Sequence, residues 1–356
     1  MNGFLPSPDP LRQLPAGFEA WEEVAHDLPK LLVSEKLRAT LERLPSCDVS
    51  SLNDAELNRA MLLLSYFGHA YVWGQRPPPR SLPASVAVPW CKVAQRLGRP
   101  PVLSYASYAL HNWRRIDPTG PIALGNIALL QNFLGGVDEE WFILVHVDIE
   151  AKAAPAIAAL NTDNPLAVIA SALHQMNTTM LRMPERCDPY IYYNRVRPYI
   201  HGWKNQPALP DGLIYEGVYD GKPQQFRGET GAQSSIVPAL DAALDIKHKP
   251  DVLSEYLQEM REYMPPAHRE FIANIRSIRG HVLQHPELRD GYNECVSELE
   301  KFRAKHFEYA ARYIHQQAQH DAANPTDVGT GGTPFMPYLG KHLSETAEHL
   351  IPTPKR

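Results

Sequence analysis

The sequence is poor in cysteine and contains no close cysteine pair. Its four cysteines, among 356 residues, are Cys47, Cys91, Cys187 and Cys295. No CxxC pair and no CxxCH motif is present. Such scattered thiols argue against a disulfide scaffold, a cysteine-ligated zinc site and a covalently attached haem. They are typical of a protein kept in a reducing compartment, so we expect a cytoplasmic location.

Long hydrophobic runs and an excess of positive charge are also missing. No apolar run approaches the ~20 residues that a membrane-spanning helix needs. The formal net charge is -5 and the pI is near 6.3, whereas nucleic-acid-binding domains carry a basic face. The first six residues lack the basic and apolar segments of a signal peptide, so we expect none. The sequence therefore predicts neither a membrane nor a nucleic-acid partner.

Motifs of several enzyme classes are absent as well. The sequence has no HExxH metal motif, no glycine motif for phosphates or dinucleotides, and no GxSxG hydrolase motif. Its composition, with 44% hydrophobic and 21% charged residues, is ordinary for a globular enzyme. The enzyme class must therefore be read from other features.

Hydrophobic periodicity predicts an all-α fold. The 33 prolines are spread along the chain and mostly separate one helical pattern from the next. Strand-like alternation is nearly absent, except for a short segment at 213–219. The predicted helices cover residues 55–71, 83–97, 101–115, 122–134, 139–160, 165–180, 187–202, 234–246, 265–284 and 286–319.

The positions of prolines and glycines along the chain predict its domains. We expect an extended tail at 1–16, a small helical domain at 17–134 and a large helical domain at 135–356. The Gly135-Gly136 pair marks the boundary between the two domains. A loop at 321–334, rich in glycine and small polar residues, is either a mobile lid or a linker.

A histidine interrupts the apolar stripe of the longest predicted helix. Residues spaced alternately by four and three form one face of that helix. They are Leu288, Tyr292, Cys295, Leu299, Phe302, His306, Tyr309 and Tyr313. A buried imidazole without a partner costs ~1–3 kcal/mol. From periodicity alone, His306 is therefore either a core histidine satisfied by a neighbour or a metal ligand.

A second histidine repeats this arrangement on another helix. His146 shares a helical face with Phe142, Val145 and Ile149. Two histidines on apolar faces of separate helices could lie on opposite sides of a haem. The remaining histidines, such as His248 and His342, are expected to be ordinary surface or satisfied residues.

Several segments, in order, resemble the indoleamine 2,3-dioxygenase family. Those similar to its small domain are 86–91 (VAVPWC), 97–105 (LGRPPVLSY) and 112–113 (NW). Those similar to its large domain are 202–204 (GWK), 211–217 (DGLIYEG), 231–235 (GAQSS), 261–269 (REYMPPAHR) and 329–333 (GTGGT). Each segment is weak alone, but the ordered set, over roughly residues 80 to 350, is specific.

The resemblance implies a helical dioxygenase with a non-covalent b-type haem. His306 would be the proximal iron ligand in the large domain, and the small domain would cover the distal pocket. Asp241 and Arg303 would tune the proximal side, although a purely structural ion pair is an equal alternative. The expected reaction opens the indole C2=C3 bond of L-tryptophan, or of a close indole derivative, with O₂. N-formylkynurenine would form, and an external reductant would keep the iron ferrous.

The resemblance also implies a set of substrate-binding residues. Arg197 would receive the substrate carboxylate, since a guanidinium can form two parallel hydrogen bonds to it. Thr230 and Gly231 would contact the substrate ammonium group and a haem propionate, and Thr330 would supply a hydroxyl on a mobile loop that closes over the bound amino acid. The indole pocket would be lined by Tyr105, Tyr108, Phe142, Ile143 and Tyr192.

The chain departs from the animal members of the family at four positions. His146 replaces a serine, the Tyr192-Tyr193 pair replaces two phenylalanines, and Glu229 replaces a glycine. His146 is expected to orient the indole by accepting its N–H. Two alternatives remain open: monooxygenation of a modified tryptophan, and a haem sensor or electron carrier with both histidines on iron.

Overall fold

The computed structural model describes residues 2–250, 252–318, 329–330 and 336–352. Over these ranges the chain is mainly helical, so the all-α prediction is confirmed. The helices are α1 (Glu19–Val33), α2 (Leu37–Glu42), α3 (Asp54–Trp73), α4 (Ala84–Leu97), α5 (Val137–Ala159), α6 (Leu166–Met180), α7 (Pro189–Ile191), α8 (Ile236–Leu244), α9 (Val252–Arg261), α10 (Pro266–Ala273), α11 (Arg279–Gln284), α12 (Arg289–Ala310), α13 (Gln316–Ala318) and α14 (Met336–Ala347).

Short strands and single turns connect these helices. The strands are β1 (Ser81–Leu82), β2 (Trp113–Arg115), β3 (Ile127–Leu129), β4 (Leu213–Tyr215) and β5 (Pro223–Gln224). β4 lies between β1, its parallel neighbour, and β5, its antiparallel neighbour, while β2 and β3 form an antiparallel pair. The π-helical turns, a type that often occurs at functional sites, are Ala106–Leu110, Tyr192–Val196 and Ala311–His315.

The first hydrophobic core surrounds α3, which is buried on all sides. This helix begins with a capping box, because the Asn53 side chain accepts from the Glu56 amide and the Glu56 carboxylate accepts from the Asn53 amide. Gly68 lets α4 approach closely, since a Cβ there would lie 2.1 Å from the ring of Trp90. The α3–α4 contact thus depends on a glycine at position 68.

The second core lies between α5, α6, α8 and α12. The apolar stripe predicted on α12 is buried at Tyr292, Cys295 and Leu299. Farther along the helix it is less enclosed, since Phe302 is half-buried and His306 is exposed. The Tyr292 hydroxyl also donates to the carbonyl of Leu244, at the end of α8, over 2.7 Å. Helix α12 is therefore fixed along its length, which holds His306 at a defined position.

The first core draws on residues from both sides of position 135. Tyr199, Trp203 and Tyr215 pack into it, and β4 pairs with β1 from the N-terminal part of the chain. Residues 2–16 contain no helix or strand, and Phe4 lies in the second core while Leu14 lies in the first. The three-part division of the chain stays a prediction.

The helix predicted at 122–134 is wrong. Gly125 has a φ of +96°, a left-handed conformation that ends helical geometry. The Asn126 side chain donates to the carbonyls of Asp117 and Pro121 and so holds a turn. The chain then forms β3, which pairs with β2. Because these bonds form between separate segments, the local apolar pattern did not reveal them.

Other boundaries differ in a similar way. The predicted helix at 101–115 is a π-helical turn followed by β2, and the one at 187–202 is a series of short turns. Helices α1, α2, α9 and α14 were not predicted. The predicted loop at 321–334 lies outside the described residues, except for Gly329 and Thr330.

Candidate functional site

His306 lies on α12 with its side chain exposed. Surrounding protein nevertheless lowers its pKa to about 4, first by desolvation and then by the nearby His146 and Arg303. A side chain that has open surface and is still desolvated borders an internal space. The imidazole is therefore neutral at pH 7, which is the form that can ligate a metal ion.

His146 approaches this space from α5. Its Nδ1 lies 2.7 Å from the carbonyl oxygen of Phe142, one turn earlier. A carbonyl can only accept, so Nδ1 carries the proton and Nε2 of the neutral ring is an acceptor. Desolvation lowers the pKa of His146, which keeps the ring neutral. Because His146 also lowers the pKa of His306, the structure brings these two predicted residues near each other.

Aromatic rings gather around His146. Phe142 lies 4.7 Å from the His146 ring and 4.6 Å from the Tyr192 ring, measured between centroids. Tyr105 stands edge-on to His146 at 6.0 Å, and Tyr108 lies 6.3 Å from Phe142. The structure thus brings together four of the five residues predicted to line an indole pocket. The fifth, Ile143, is fully buried in the first core.

Arg197 is placed beside this wall by the Tyr192–Val196 turn. The Arg197 amide donates to the Tyr192 carbonyl, five residues earlier, so the π-helical turn sets the two residues one turn apart. Arg197 is fully buried, and its guanidinium lies 5.4 Å from the centre of the Tyr193 ring. Desolvation lowers the Arg197 pKa, and the tyrosines at 192 and 193 act against that change. A surface position for this arginine is excluded.

A close crossing of two chain segments carries Glu229 to the same region. A Cβ on Gly202 would lie 2.2 Å from the Gly228 nitrogen, so the backbones meet where only glycine fits. Beyond the crossing, the Glu229 amide donates to the Ile200 carbonyl over 3.0 Å. The Thr330 hydroxyl donates to the Glu229 carbonyl.

Three other residues predicted to bind the substrate lie next to this crossing. The Thr230 hydroxyl accepts from the Ala232 amide at 3.4 Å, which caps the turn at Gly231–Gln233. Gly231 is exposed, and a Cβ there would meet nothing within 4 Å. Thr230, Gly231 and Thr330 therefore lie together along the segment that contains Glu229.

A buried ion pair supports the helix that carries His306. Arg303 Nη2 lies 2.7 Å from Asp241 Oδ2, and Arg303 Nη1 lies 2.6 Å from the hydroxyl of Thr346. Burial tends to raise the pKa of Asp241, but the charges of Arg303 and His248 outweigh it, and the pKa is lowered. The pair ties α12 to α8 and α14.

The histidines at 248 and 342 stand next to that pair. His248 Nδ1 lies 2.8 Å from Glu345 Oε2, and the rings of His248 and His342 stack with centroids 3.8 Å apart. In the described part of the chain, these three side chains have metal-ligand spacing, with ligand atoms within 4.8 Å. Lone pairs of stacked rings run side by side instead of converging on one ion, so the geometry favours a bonded His248–Glu345 pair with His342 stacked against it.

Glu150 is a site residue that sequence reasoning missed. It follows His146 by one turn of α5, is buried, and accepts from the Ser234 hydroxyl at 2.9 Å. The Tyr105 hydroxyl also bonds to it, and burial raises the Glu150 pKa to about 7. The Tyr105 amide donates to the side chain of Gln233 at 2.9 Å. The signal in the sequence was a glutamate at i+4 on the apolar face of His146.

The arrangement defines a class of protein. Two neutral imidazoles on separate helices, an aromatic wall and a buried guanidinium lie in one region, an arrangement that suits a haem protein acting on an aromatic acid. The donor set fits haem, because neutral His306 can ligate iron. Among the described helices, none combines the length and apolar character needed to cross a membrane.

Comparison with known proteins supports this class. The model of the indoleamine 2,3-dioxygenase family matches residues 1–349. Indoleamine 2,3-dioxygenase 1 of Rattus norvegicus is 38% identical over 381 residues, covering 98% of this chain and 93% of the rat protein. Indoleamine 2,3-dioxygenase of Saccharomyces cerevisiae is 31% identical, covering 97% of this chain and 90% of the yeast protein. A 6-hydroxytryptophan 2,3-dioxygenase of Fusarium equiseti is 33% identical, with 98% and 95% covered.

The chain belongs to the indoleamine 2,3-dioxygenase family. The predicted family and the enzyme class, a haem-dependent dioxygenase, are therefore confirmed. The roles predicted for individual residues are a separate matter. Their positions agree with those roles, and the roles themselves are proposals.

Proposed function

We propose that this protein opens the C2=C3 bond of L-tryptophan, or of a close indole derivative, with O₂ to give N-formylkynurenine. The observation that carries the proposal is the gathering of His146, Phe142, Tyr192 and buried Arg197 near His306. An acceptor for the indole N–H, an aromatic wall and a carboxylate receptor match the three parts of tryptophan.

The substrate carboxylate binds Arg197. A guanidinium meets a carboxylate with two parallel N–H groups, and burial strengthens that interaction by excluding water. The adjacent Tyr192 and Phe142 rings, 4.6 Å apart, face the indole with Tyr105 and Tyr108, and Ile143 backs this wall from the first core. Thr230, Gly231 and Thr330 contact the amino-acid end.

His146 sets the orientation of the indole ring. With Nδ1 donating to the Phe142 carbonyl, Nε2 accepts the indole N–H. The ring is already fixed by its own helix, so accepting this bond requires little reorganisation. Glu150 holds Tyr105 in place beside it and acts as a positioning residue.

His306 would hold the haem, which the family resemblance implies is b-type, and the absence of a CxxCH motif agrees with non-covalent binding. When bound, the haem supplies the activation of O₂, and the protein supplies orientation and exclusion of water. The Asp241–Arg303 pair keeps α12 in place behind His306. An external reductant is required to keep the iron ferrous, and we place the protein in the cytoplasm.

Two observations favour alternative functions. The Fusarium relative is named for 6-hydroxytryptophan, which makes a modified tryptophan a second candidate substrate, with oxygenation by one atom as a variant. The nearness of His146 to His306 would suit a sensor or electron carrier with both histidines on iron.

The proposal is tested by supplying ferrous holoenzyme with L-tryptophan or 6-hydroxytryptophan and analysing the products by chromatography. N-formylkynurenine from L-tryptophan supports the main proposal, and faster turnover of the hydroxylated substrate supports the second candidate. A ferrous spectrum that does not change on adding CO would indicate that both histidines bind iron, and would overturn the dioxygenase assignment.

A further inference from the structure

Glu229 is a buried carboxyl group that no part of the proposed binding scheme uses. Its side chain is only 5% exposed, and burial raises its pKa to about 8. Across the described chain, burial is the one influence on that pKa, and no cationic side chain offsets it. Arg227, two residues earlier, lies 2.7 Å from Glu259 instead.

The segment that carries Glu229 lies beside the substrate pocket, because the Gln233 side chain donates to the Gly228 carbonyl and accepts from the Tyr105 amide, each over 2.9 Å. The Glu229 carboxyl group belongs to this region. Its charge raises the pKa of Tyr105, Tyr108 and Tyr192, which belong to the pocket wall. It also raises the pKa of Tyr66 on α3 and Tyr256 on α9, the other titratable groups around it. All five phenols stay protonated and neutral at pH 7, so the protein provides Glu229 with polar neighbours and no counter-charge.

The surrounding backbone makes this placement rigid. Gly202 and Gly228 cross where no side chain fits, and Ile200 and Thr330 bond the Glu229 backbone on both sides. The backbone that carries the carboxyl group is therefore fixed at this point. A buried carboxyl group without a cationic neighbour is held in its neutral form and ionises when a cation comes to lie beside it, so its place at the pocket suits a cationic group of the ligand.

Resting on the proposed function, we propose that Glu229 binds the α-ammonium group of the substrate and so selects free amino acids over indole acids that lack the amine. Arg197 and Glu229 both act electrostatically on Tyr192, so both groups lie near this one pocket residue. The carboxylate and ammonium of an amino acid leave the same carbon and can meet both. On binding, the protonated Glu229 carboxyl releases its proton to solvent and its carboxylate pairs with the ammonium.

The experiment compares two ligands in the ferric holoenzyme by calorimetry. L-tryptophan carries the ammonium group, and indole-3-propionate has the same ring and carboxylate without it. The variants are Glu229→Gln, which removes the charge at constant size, and Glu229→Asp, which restores it. Glu139→Gln is the matched control, because it removes a buried carboxylate bonded to backbone amides at 133–135.

The expected result is selective. Glu229→Gln should weaken the binding of L-tryptophan roughly tenfold to a hundredfold, as for loss of a charge-assisted hydrogen bond. The binding of indole-3-propionate should stay the same or become tighter. Glu229→Asp should recover part of the loss, and Glu139→Gln should preserve the ratio of the two dissociation constants. Tryptophan binding to the unmodified protein near pH 7 should release up to one proton, and Glu229→Gln should release none.

Equal changes for both ligands in Glu229→Gln would overturn the inference, as would unmodified protein that binds the two ligands equally. The latter comparison needs no variant, so a misfolded Glu229→Gln protein does not prevent a decision. The proposed function fails separately: it fails if unmodified holoenzyme forms no N-formylkynurenine, whatever the binding ratio.

Discussion

The Nδ1 atom of His146 lies 2.7 Å from the carbonyl oxygen of Phe142. This contact fixes both the ring and its tautomer, because the carbonyl can accept but not donate. It leaves Nε2 as an acceptor within an aromatic wall. Substitution of His146 therefore tests whether that acceptor orients the substrate.

His146→Ser should reduce kcat/KM for L-tryptophan by roughly two- to tenfold, the value of one neutral hydrogen bond. Turnover of 1-methyltryptophan should change less, because this substrate has no indole N–H to donate. Steady-state kinetics with both substrates measure the difference. Comparable losses would show that His146 acts through pocket shape, and loss of haem would show that it ligates iron.

His306→Ala should yield a folded helical protein that retains little haem. The substitution removes the ligand but leaves the buried contacts of Tyr292, Cys295 and Leu299 on the same helix. Haem content per chain and circular dichroism check the two halves of this prediction. His315→Ala, which removes another imidazole from the helical segment that follows, should keep its haem. Full haem occupancy in His306→Ala would assign the proximal ligand elsewhere.

Arg197→Leu should raise KM for L-tryptophan by roughly tenfold to over a hundredfold, since a charge-assisted interaction contributes ~1.5–3 kcal/mol. Haem content should stay the same. Indole derivatives without a carboxylate are the control, and they should be affected much less. An equal loss for both kinds of substrate would indicate disturbed packing around Tyr193 instead of a lost carboxylate receptor.

Asp241→Asn should lower the free energy of unfolding by about 1–3 kcal/mol, because it leaves the buried Arg303 without its counter-charge. Asp245→Asn is the matched control on the same segment. Asp245 pairs with the exposed Lys247, and an exposed pair contributes little. Denaturant unfolding of both variants makes the comparison. Equal stability of the two would show that the Asp241–Arg303 pair contributes nothing to the fold.

Glu139 should give the protein a pH-dependent stability. Burial raises its pKa from 4.5 to about 7, against the lowering effect of three backbone amides. Between these pH values the folded state holds a proton that the unfolded state has lost. The free energy of unfolding therefore falls as pH rises from 4.5 to 7, by on the order of 3 kcal/mol from this residue.

Glu139→Gln removes that titration. As pH rises from 4.5 to 7, the unmodified protein should lose stability relative to Glu139→Gln. Above pH 7 the difference between their free energies of unfolding should stay constant. Parallel unfolding curves at pH 5, 6 and 7 measure it. A difference that does not change with pH would mean that Glu139 is ionised throughout.

The sequence was informative where a site residue stands on a regular helix. The stripe on α12 and the shorter one on α5 follow the helical period, so they revealed His306 and His146 as polar residues on apolar faces. Their nearness depends on how α5 and α12 pack, which no local pattern contains. The resemblance supplied that step, and the structure agrees with it.

Other parts of the site depend on contacts between distant segments. Glu229 is positioned by a crossing of two glycines, and Glu345 reaches His248 from nearly a hundred residues away. Contacts between distant residues leave no periodic pattern in the sequence. The helix predicted at 122–134 was wrong for the same reason, because the chain there is shaped by contacts with other segments. The Asn126 side chain donates to the Asp117 carbonyl, and β3 pairs with β2.

The central claim is that both atoms of one O₂ molecule enter the opened indole ring of L-tryptophan. The most direct test is the mass of the product that the ferrous holoenzyme forms from L-tryptophan under ¹⁸O₂. The account predicts N-formylkynurenine with two ¹⁸O atoms, released before any exchange with water. A product with one labelled oxygen and an intact ring, or no labelled product, would contradict it.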